Sequence, residues 1–374
     1  MRPAWAEVDL GAVAANVKTL ARLVAPAQVC AVVKADGYGH GAVAVARAAL
    51  DAGAGWLGVA LAEEGATLRD AGITAPILLL SEPQGDDMEI AVWFGLRPTV
   101  YTPAGVEAAA RAAKHAVAKG APLPIRVHLK VDTGMHRVGA APADAVLLAE
   151  AVATHPELVL DGAYTHFAVA DEPDDPFTDE QLGRFSSVLA RLGDAGWRPP
   201  VVHAANSAAA ITRPDSRFDL VRVGIAVYGI PPAPTLADAV ELVPALSLKA
   251  SVALVKEVGA GERISYGLRH TFATDSVVAT VPIGYADGVR RRLFAVGGEV
   301  LLGGRRRPIA GVVTMDQLTV DCGDDRSVRA GDEVVLIGAQ GHERITADDW
   351  AARLDTIAYE IVCGIGPRVP RRYR

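Results

Sequence analysis

Val29-Cys30-Ala31-Val32-Val33-Lys34-Ala35-Asp36-Gly37-Tyr38-Gly39-His40-Gly41 is the stretch from which the fold can be read. A short, Val-rich apolar run that breaks on a glycine cluster reads as a buried strand ending in a tight loop, which leaves Lys34 at the strand's carboxyl end. That end is where α/β enzymes collect their chemistry. A lysine there can bond covalently to an aldehyde cofactor and serve afterwards as a base, provided burial lowers its pKa from about 10.4. An isolated lysine at a strand end is more often a snorkelling surface residue. What the rest of the chain places beside it decides between the two.

Working outward, runs of strand length fall near 29–34, 56–60, 76–81, 97–100, 125–132, 160–167, 201–207 and 221–229. Alanine-rich helical segments lie near 41–52, 62–71, 86–94, 103–119, 142–154, 178–195 and 206–212, with a further helix at 11–24 ahead of the first strand. Eight strands alternating with helices over this length describe an α/β chain with an N-terminal (β/α)8 TIM-type barrel. After Pro231-Pro232-Ala233-Pro234 the pattern changes to β-branched runs at 251–258, 276–282, 299–302, 312–322 and 333–338, separated by glycine turns. This predicts a mostly-β second domain, interrupted by a helix at 346–354 with Thr346 as its cap. The expected division is a barrel over 1–234 and a β-rich domain over 235–374, with the first strand, about 3–10, able to pack with the latter.

The chain has 374 residues, too many for one ordinary core, and 51% of them are hydrophobic. Its net charge of −7, with no basic stripe beyond Arg305-Arg306-Arg307 and the Arg-rich tail, argues against nucleic acid as a partner. The three cysteines, Cys30, Cys322 and Cys363, form no Cys-x-x-Cys pair and fit a reducing compartment. Neither a signal peptide nor a membrane span is visible, so a soluble cytoplasmic protein is expected.

If the barrel forms, polar residues at several strand ends should meet at one mouth. The fifth strand alternates His128, Lys130 and Asp132 with Val127, Leu129 and Val131, which puts the polar set on one face. Arg137 follows in the loop Asp132-Thr133-Gly134-Met135-His136-Arg137. The sixth strand ends in Thr165-His166-Phe167. The seventh ends in His203-Ala204-Ala205-Asn206-Ser207 and the eighth runs Val221-Arg222-Val223-Gly224-Ile225-Ala226, where barrels of this kind commonly bind phosphate. Ser207, Gly224 and Ile225 are placed for that. The β domain adds Ser265-Tyr266-Gly267, Gly284-Tyr285-Ala286-Asp287-Gly288, Thr314-Met315-Asp316 and Tyr359-Glu360.

Together these motifs resemble the bacterial alanine racemase family, in the family's order and over nearly the whole chain. The resemblance implies pyridoxal 5'-phosphate (PLP) held covalently on Lys34. Its phosphate would be met by Tyr38, Ser207, Gly224, Ile225 and Tyr359, and its pyridine nitrogen by Arg222 with His166 bonded behind. Lys34 would take the proton from D-alanine and Tyr266, from a partner subunit, the proton from L-alanine, with His166 and Arg222 helping Tyr266 toward a usable pKa. Arg137 and the backbone of Met315 would receive the substrate carboxylate, and Tyr285 would narrow the entrance. Lys130 matches a lysine carbamylated in several members, where the anion orients the arginine that matches Arg137. The resemblance further implies a head-to-tail homodimer with shared sites, no metal, and D-alanine made for peptidoglycan. Serine or a broader amino-acid range is the alternative substrate. The family usually has proline where this chain has Ala358, which puts the placement of Tyr359 in question.

Three rivals stand beside this reading. A non-catalytic PLP-binding barrel leaves the β domain with Tyr266 unexplained. A PLP-dependent decarboxylase would set an acidic residue, not Arg222, against the pyridine nitrogen. A metal hydrolase built on His128, His166, His203 and Asp132 leaves Lys34 and its glycine loop without a purpose.

Overall fold

A computed structural model describes residues 3–118 and 124–374. Residue 119, the expected end of one helix, lies outside them. The described chain divides into two compact units. One comprises residues 12–37, 42–118 and 124–243, and the other 3–11, 38–41 and 244–374.

The chain opens with strand β1 (Ala4–Val8), which belongs to the second unit. The barrel strands follow: β2 (Gln28–Val32), β3 (Trp56–Val59), β4 (Ile77–Leu79), β5 (Thr99–Val100), β6 (Ile125–Lys130), β7 (Leu158–Tyr164), β8 (Val201–His203) and β9 (Leu220–Val223). They pair in parallel in the orders β4-β3-β2-β9 and β5-β6-β7-β8. A parallel bridge from Leu78 to Arg97 joins the two sets on one side. On the other side Asp219 and Arg222 donate their amides to Val202 and Ala205 at 3.0 and 2.9 Å, which closes the ring. This is the (β/α)8 barrel expected from the alternation of strands and helices.

Period two sorts each barrel strand. On β6, Val127 and Leu129 face outward and pack on Val106, Ala109, Ala110 and Ala113 of the helix Pro103–Val117, so the small residues let helix and sheet approach closely. His128 and Lys130, of the opposite parity, are 0% and 5% exposed. The same helix begins where Thr102 accepts the Gly105 amide at 2.9 Å and Pro103 takes the first turn, two independent start signals. Asp132 lies beyond the end of β6. Its carboxylate accepts the amides of Gly134 and His136 at 2.9 and 3.1 Å, so it shapes the next loop instead of extending the polar row.

In the second unit, a sheet runs in the order 305–308, 299–302, 333–340, 246–251, β1, 371–373, and a second one in the order 254–258, 276–281, 318–321. The run expected as one strand at 251–258 is split at Val252-Ala253, so that its halves enter different sheets. Of the run at 312–322 only Leu318–Asp321 is a strand. Arg305-Arg306-Arg307 is part of an edge strand, on which Arg306 pairs with Glu299 and Glu343, and Arg307 with Asp325. Thr346 caps the helix Ala347–Leu354 as expected, with Asp349 returning a bond to the Thr346 amide at 2.7 Å. Ala358 is the first residue of the helix Ala358–Cys363, a position that suits proline and alanine alike.

Candidate active site

Lys34 stands just past the end of β2, separated from it by Val33, and is half-buried. The backbone after it turns left-handed: Ala35, Asp36 and Gly37 have φ of 52°, 51° and 62°, and φ stays positive at Tyr38 and Gly39. Only two of these five are glycine. Left-handed conformation costs an L-residue about 1–2 kcal/mol, so Ala35, Asp36 and Tyr38 together hold roughly 3–6 kcal/mol of unfavourable backbone energy. Strain of this size persists only where surrounding bonds fix it, and it clusters at functional sites.

Arg222 lies opposite Cys30 on the strand next to β2 and is 4% exposed. It donates to the carbonyls of Thr165 and Ala204 at 2.8 and 2.9 Å, to His203 Nδ1 at 2.9 Å and to His166 Nδ1 at 3.1 Å. All four acceptors are neutral, and burial pulls the guanidinium down to about 10, so the site holds a desolvated cation. Burial, and next the charge of Arg222, keep both histidines well below their ordinary pKa.

Their tautomers follow. Arginine only donates, so His203 accepts at Nδ1 and carries its proton on Nε2, which faces His128 Nδ1 at 2.9 Å. His128 then carries its own proton on Nε2, 3.8 Å from Asp161. His166, accepting from Arg222 at Nδ1, likewise presents Nε2–H as a donor. These bonds commit His128 and His203 to each other and to Arg222, and among the described residues no group of His, Cys, Asp or Glu gathers as a metal site.

Lys130 Nζ lies 3.4 Å from the Leu80 carbonyl and 5.5 Å from the Tyr164 ring centre. Burial, reinforced by the charges of Arg222, Arg137 and Lys34, brings its amine down to about 7 against a small opposing pull from Asp132. Arg137 is exposed, and its charge acts on Lys130, His166 and Tyr164. Ser207 Oγ accepts the Gly224 amide at 2.9 Å, while Asn206, not Ser207, caps the helix Ser207–Thr212 through Ala209. A hydroxyl that accepts one bond still has its hydrogen to donate, and the amide of Ile225 opens the adjacent turn Ile225–Tyr228.

In the second unit the Tyr38 and Tyr359 rings lie 6.2 Å apart, and burial raises the Tyr38 phenol. Tyr266 is 72% exposed on a short turn between Ser265 and Leu268, whose φ values are 63° and 49°. Ser265 Oγ fixes this turn to the Val312 carbonyl at 2.6 Å. The loops carrying Tyr285 and Met315 are joined by Tyr285 N to Thr314 O at 2.9 Å and Ala286 N to Met315 O at 3.1 Å. A Cβ at Gly284 would lie 2.3 Å from that Thr314 oxygen, so only glycine permits the approach.

The sequence did not disclose Asp161, Tyr164 or Glu64. Tyr164 stacks on His203 at 4.5 Å and hydrogen-bonds Thr99 at 2.8 Å. Its place at the end of an inward-facing strand was the available signal. Glu64 accepts the Ala35 amide from a different element, which no spacing reveals.

Residues 8–232 match the family model of the alanine racemase N-terminal domain, and residues 245–373 that of its C-terminal domain. The chain is 52% identical over 373 residues to alanine racemase of Symbiobacterium thermophilum, covering 100% of this chain and 97% of that one. It is 47% identical to the Thermobifida fusca enzyme, covering 99% and 98%. The crystal structure of alanine racemase from D-cycloserine-producing Streptomyces lavendulae superposes with a TM-score of 0.93 at 43% identity, covering 100% and 97%.

Proposed function

The chain belongs to the alanine racemase family, and from that premise we propose how its residues divide the interconversion of L- and D-alanine. The enzyme is a PLP-dependent isomerase whose D-alanine serves peptidoglycan. The observation that carries the division is Arg222, a buried cation donating only to neutral acceptors, on the strand beside β2, past whose end Lys34 stands. A pyridine nitrogen set against a guanidinium accepts a hydrogen bond and stays unprotonated, since arginine does not readily give up its proton. When bound, the cofactor supplies the electron withdrawal that acidifies the Cα proton of the amino acid, moderated here by Arg222 in favour of proton return over transamination.

Lys34 holds the cofactor and works one face of Cα; Tyr266 of the partner subunit works the other. The Nε2–H of neutral His166 is a donor suited to the phenolate form of that tyrosine, and bonding to the charged form lowers a pKa. Ser207 and the amide of Ile225 favour the phosphate, and Arg137 the substrate carboxylate. Lys130 at about 7 keeps much of its amine neutral, and a neutral amine adds CO2 with loss of one proton, giving an anion able to orient Arg137. The homodimer is supported by the exposure of Tyr266, Leu254, Leu268 and Met315 on one unit, apolar area that a second copy would cover. Cys30 and Cys322 are buried free thiols, which fits the cytoplasm.

The test is solvent exchange. Tyr266→Phe should slow deuterium exchange at Cα of L-alanine by about 10²–10⁴-fold, a general base's contribution, and that of D-alanine far less. Equal losses for both enantiomers refute the two-face assignment.

A further inference from the structure

We propose that Glu64 is a positioning residue for Lys34, its carboxylate locking the left-handed turn through which the lysine is presented. This rests on the reading of Lys34 as the cofactor-bearing residue. Glu64 sits in the first turn of the helix Ala62–Asp70 that follows β3. Its Oε1 accepts the amide of Ala35 at 2.6 Å, and its Oε2 accepts those of Ala60 and Leu61 at 2.8 and 3.1 Å. One side chain thus ties the loop after β2 to the loop after β3.

The tie falls on the peptide that joins Lys34 to Ala35, the first residue of the run with positive φ. Within residues 33–42 the Ala42 amide donates to Asp36 Oδ1 at 2.8 Å and the Gly37 amide to the Val33 carbonyl at 2.8 Å, and at the far end of the run Arg371 Nε donates to the Gly39 carbonyl at 2.9 Å. The first two lie inside the segment and would survive its displacement as a block, and the Arg371 bond falls four residues past Ala35, so none of the three holds the peptide between Lys34 and Ala35. The Glu64 bond comes from another element and is charge-assisted, the strong kind of hydrogen bond. It therefore sets where the turn, and with it the base of the Lys34 side chain, stands relative to the barrel wall. The unfavourable dihedrals supply the reason for a tether: released at Ala35, the backbone has lower-energy conformations to enter.

Glu64 also caps its own helix, so the experiment separates the two roles. Apoenzyme of Glu64→Ala is titrated with PLP while the absorbance of the lysine-bound cofactor and the melting temperature are followed. The same is done for Glu64→Ala carrying Leu61→Ser, which restores a helix cap without reaching Ala35. The expected result is a PLP affinity weakened by about tenfold or more and slower formation of the lysine bond, as for a reacting group misplaced by a fraction of an ångström. In the double variant the melting temperature should recover and the cofactor defect persist. Wild-type affinity and rate in Glu64→Ala, or their recovery together with the cap, overturn the proposal. Lys34→Ala, run alongside, tests the underlying reading separately: if it still forms the bound-cofactor band, the assignment of Lys34 itself fails.

Discussion

Near neutral pH the amine of Lys130 is divided between its two protonation states, because burial and the cations Arg222, Arg137 and Lys34 bring it from 10.5 to about 7. Between those two values the unfolded chain binds a proton that the folded chain does not, so stability rises with pH across the window, and below it the cost of the buried charge is fully present. Lys130→Met should remove that slope. Urea midpoints of the apoenzyme in CO2-free buffer, taken at several pH values from about 7 to 10.5, check the sign; an unchanged slope in the variant would place the titration elsewhere. Single residues of this kind were legible in the sequence where a strand end announced them. Lys34, His166 and Arg222 each follow or line a run of strand length, and the barrel brings their surroundings together. Glu64 and Asp161 were not legible, because each acts through a partner 29 or more residues away, Ala35 in one case and Arg126 in the other, and carries no motif of its own.

The turn after β2 shows what can be read of an element and what cannot. Three glycines in five positions, Gly37, Gly39 and Gly41, announced a break, and all three have positive φ, of 62°, 79° and 96°. Nothing in Ala35-Asp36 announced that these L-residues share that conformation, since their dihedrals are held by the carboxylate of Glu64 from another element and by the bond between Asp36 and Ala42. Strand and helix positions in the barrel were readable because period two and alanine-rich periodicity act locally. The split of 251–258 was not, because the continuous β-branched run conceals a change of sheet at Val252-Ala253 that only tertiary pairing reveals. Gly37→Ala tests the turn as a unit. A Cβ there would sit 3.3 Å from the Ala42 backbone in a conformation costing about 1–2 kcal/mol, so the denaturation midpoint should fall accordingly and cofactor uptake should slow. A variant as stable as the parent, with normal uptake, would mean the turn relaxes freely and stores nothing.

For the molecule as a whole the proposed two-base division turns on which protomer supplies Tyr266. On its own protomer Tyr266 is 72% exposed and held on a turn with two non-glycine residues at positive φ, flanking it at 265 and 268. Ser265 Oγ and the Arg263 bond to the Leu268 carbonyl at 2.8 Å keep that turn in place. Backbone energy spent to hold a phenol outward has a purpose if a second copy receives it. In a two-fold dimer each site would then combine Lys34 of one protomer with Tyr266 of the other. Lys34→Ala and Tyr266→Phe are each expected to be inactive alone. When mixed in equal amounts, unfolded together and refolded, half the dimers are heterodimers, and each has one site built from two intact residues and one lacking both, which gives about a quarter of the wild-type activity by random pairing. Recovery should appear only after subunit exchange and should scale with the heterodimer fraction measured by mass. Exchange without recovery would place both bases on one chain, and the exposure of Tyr266 would then need another cause.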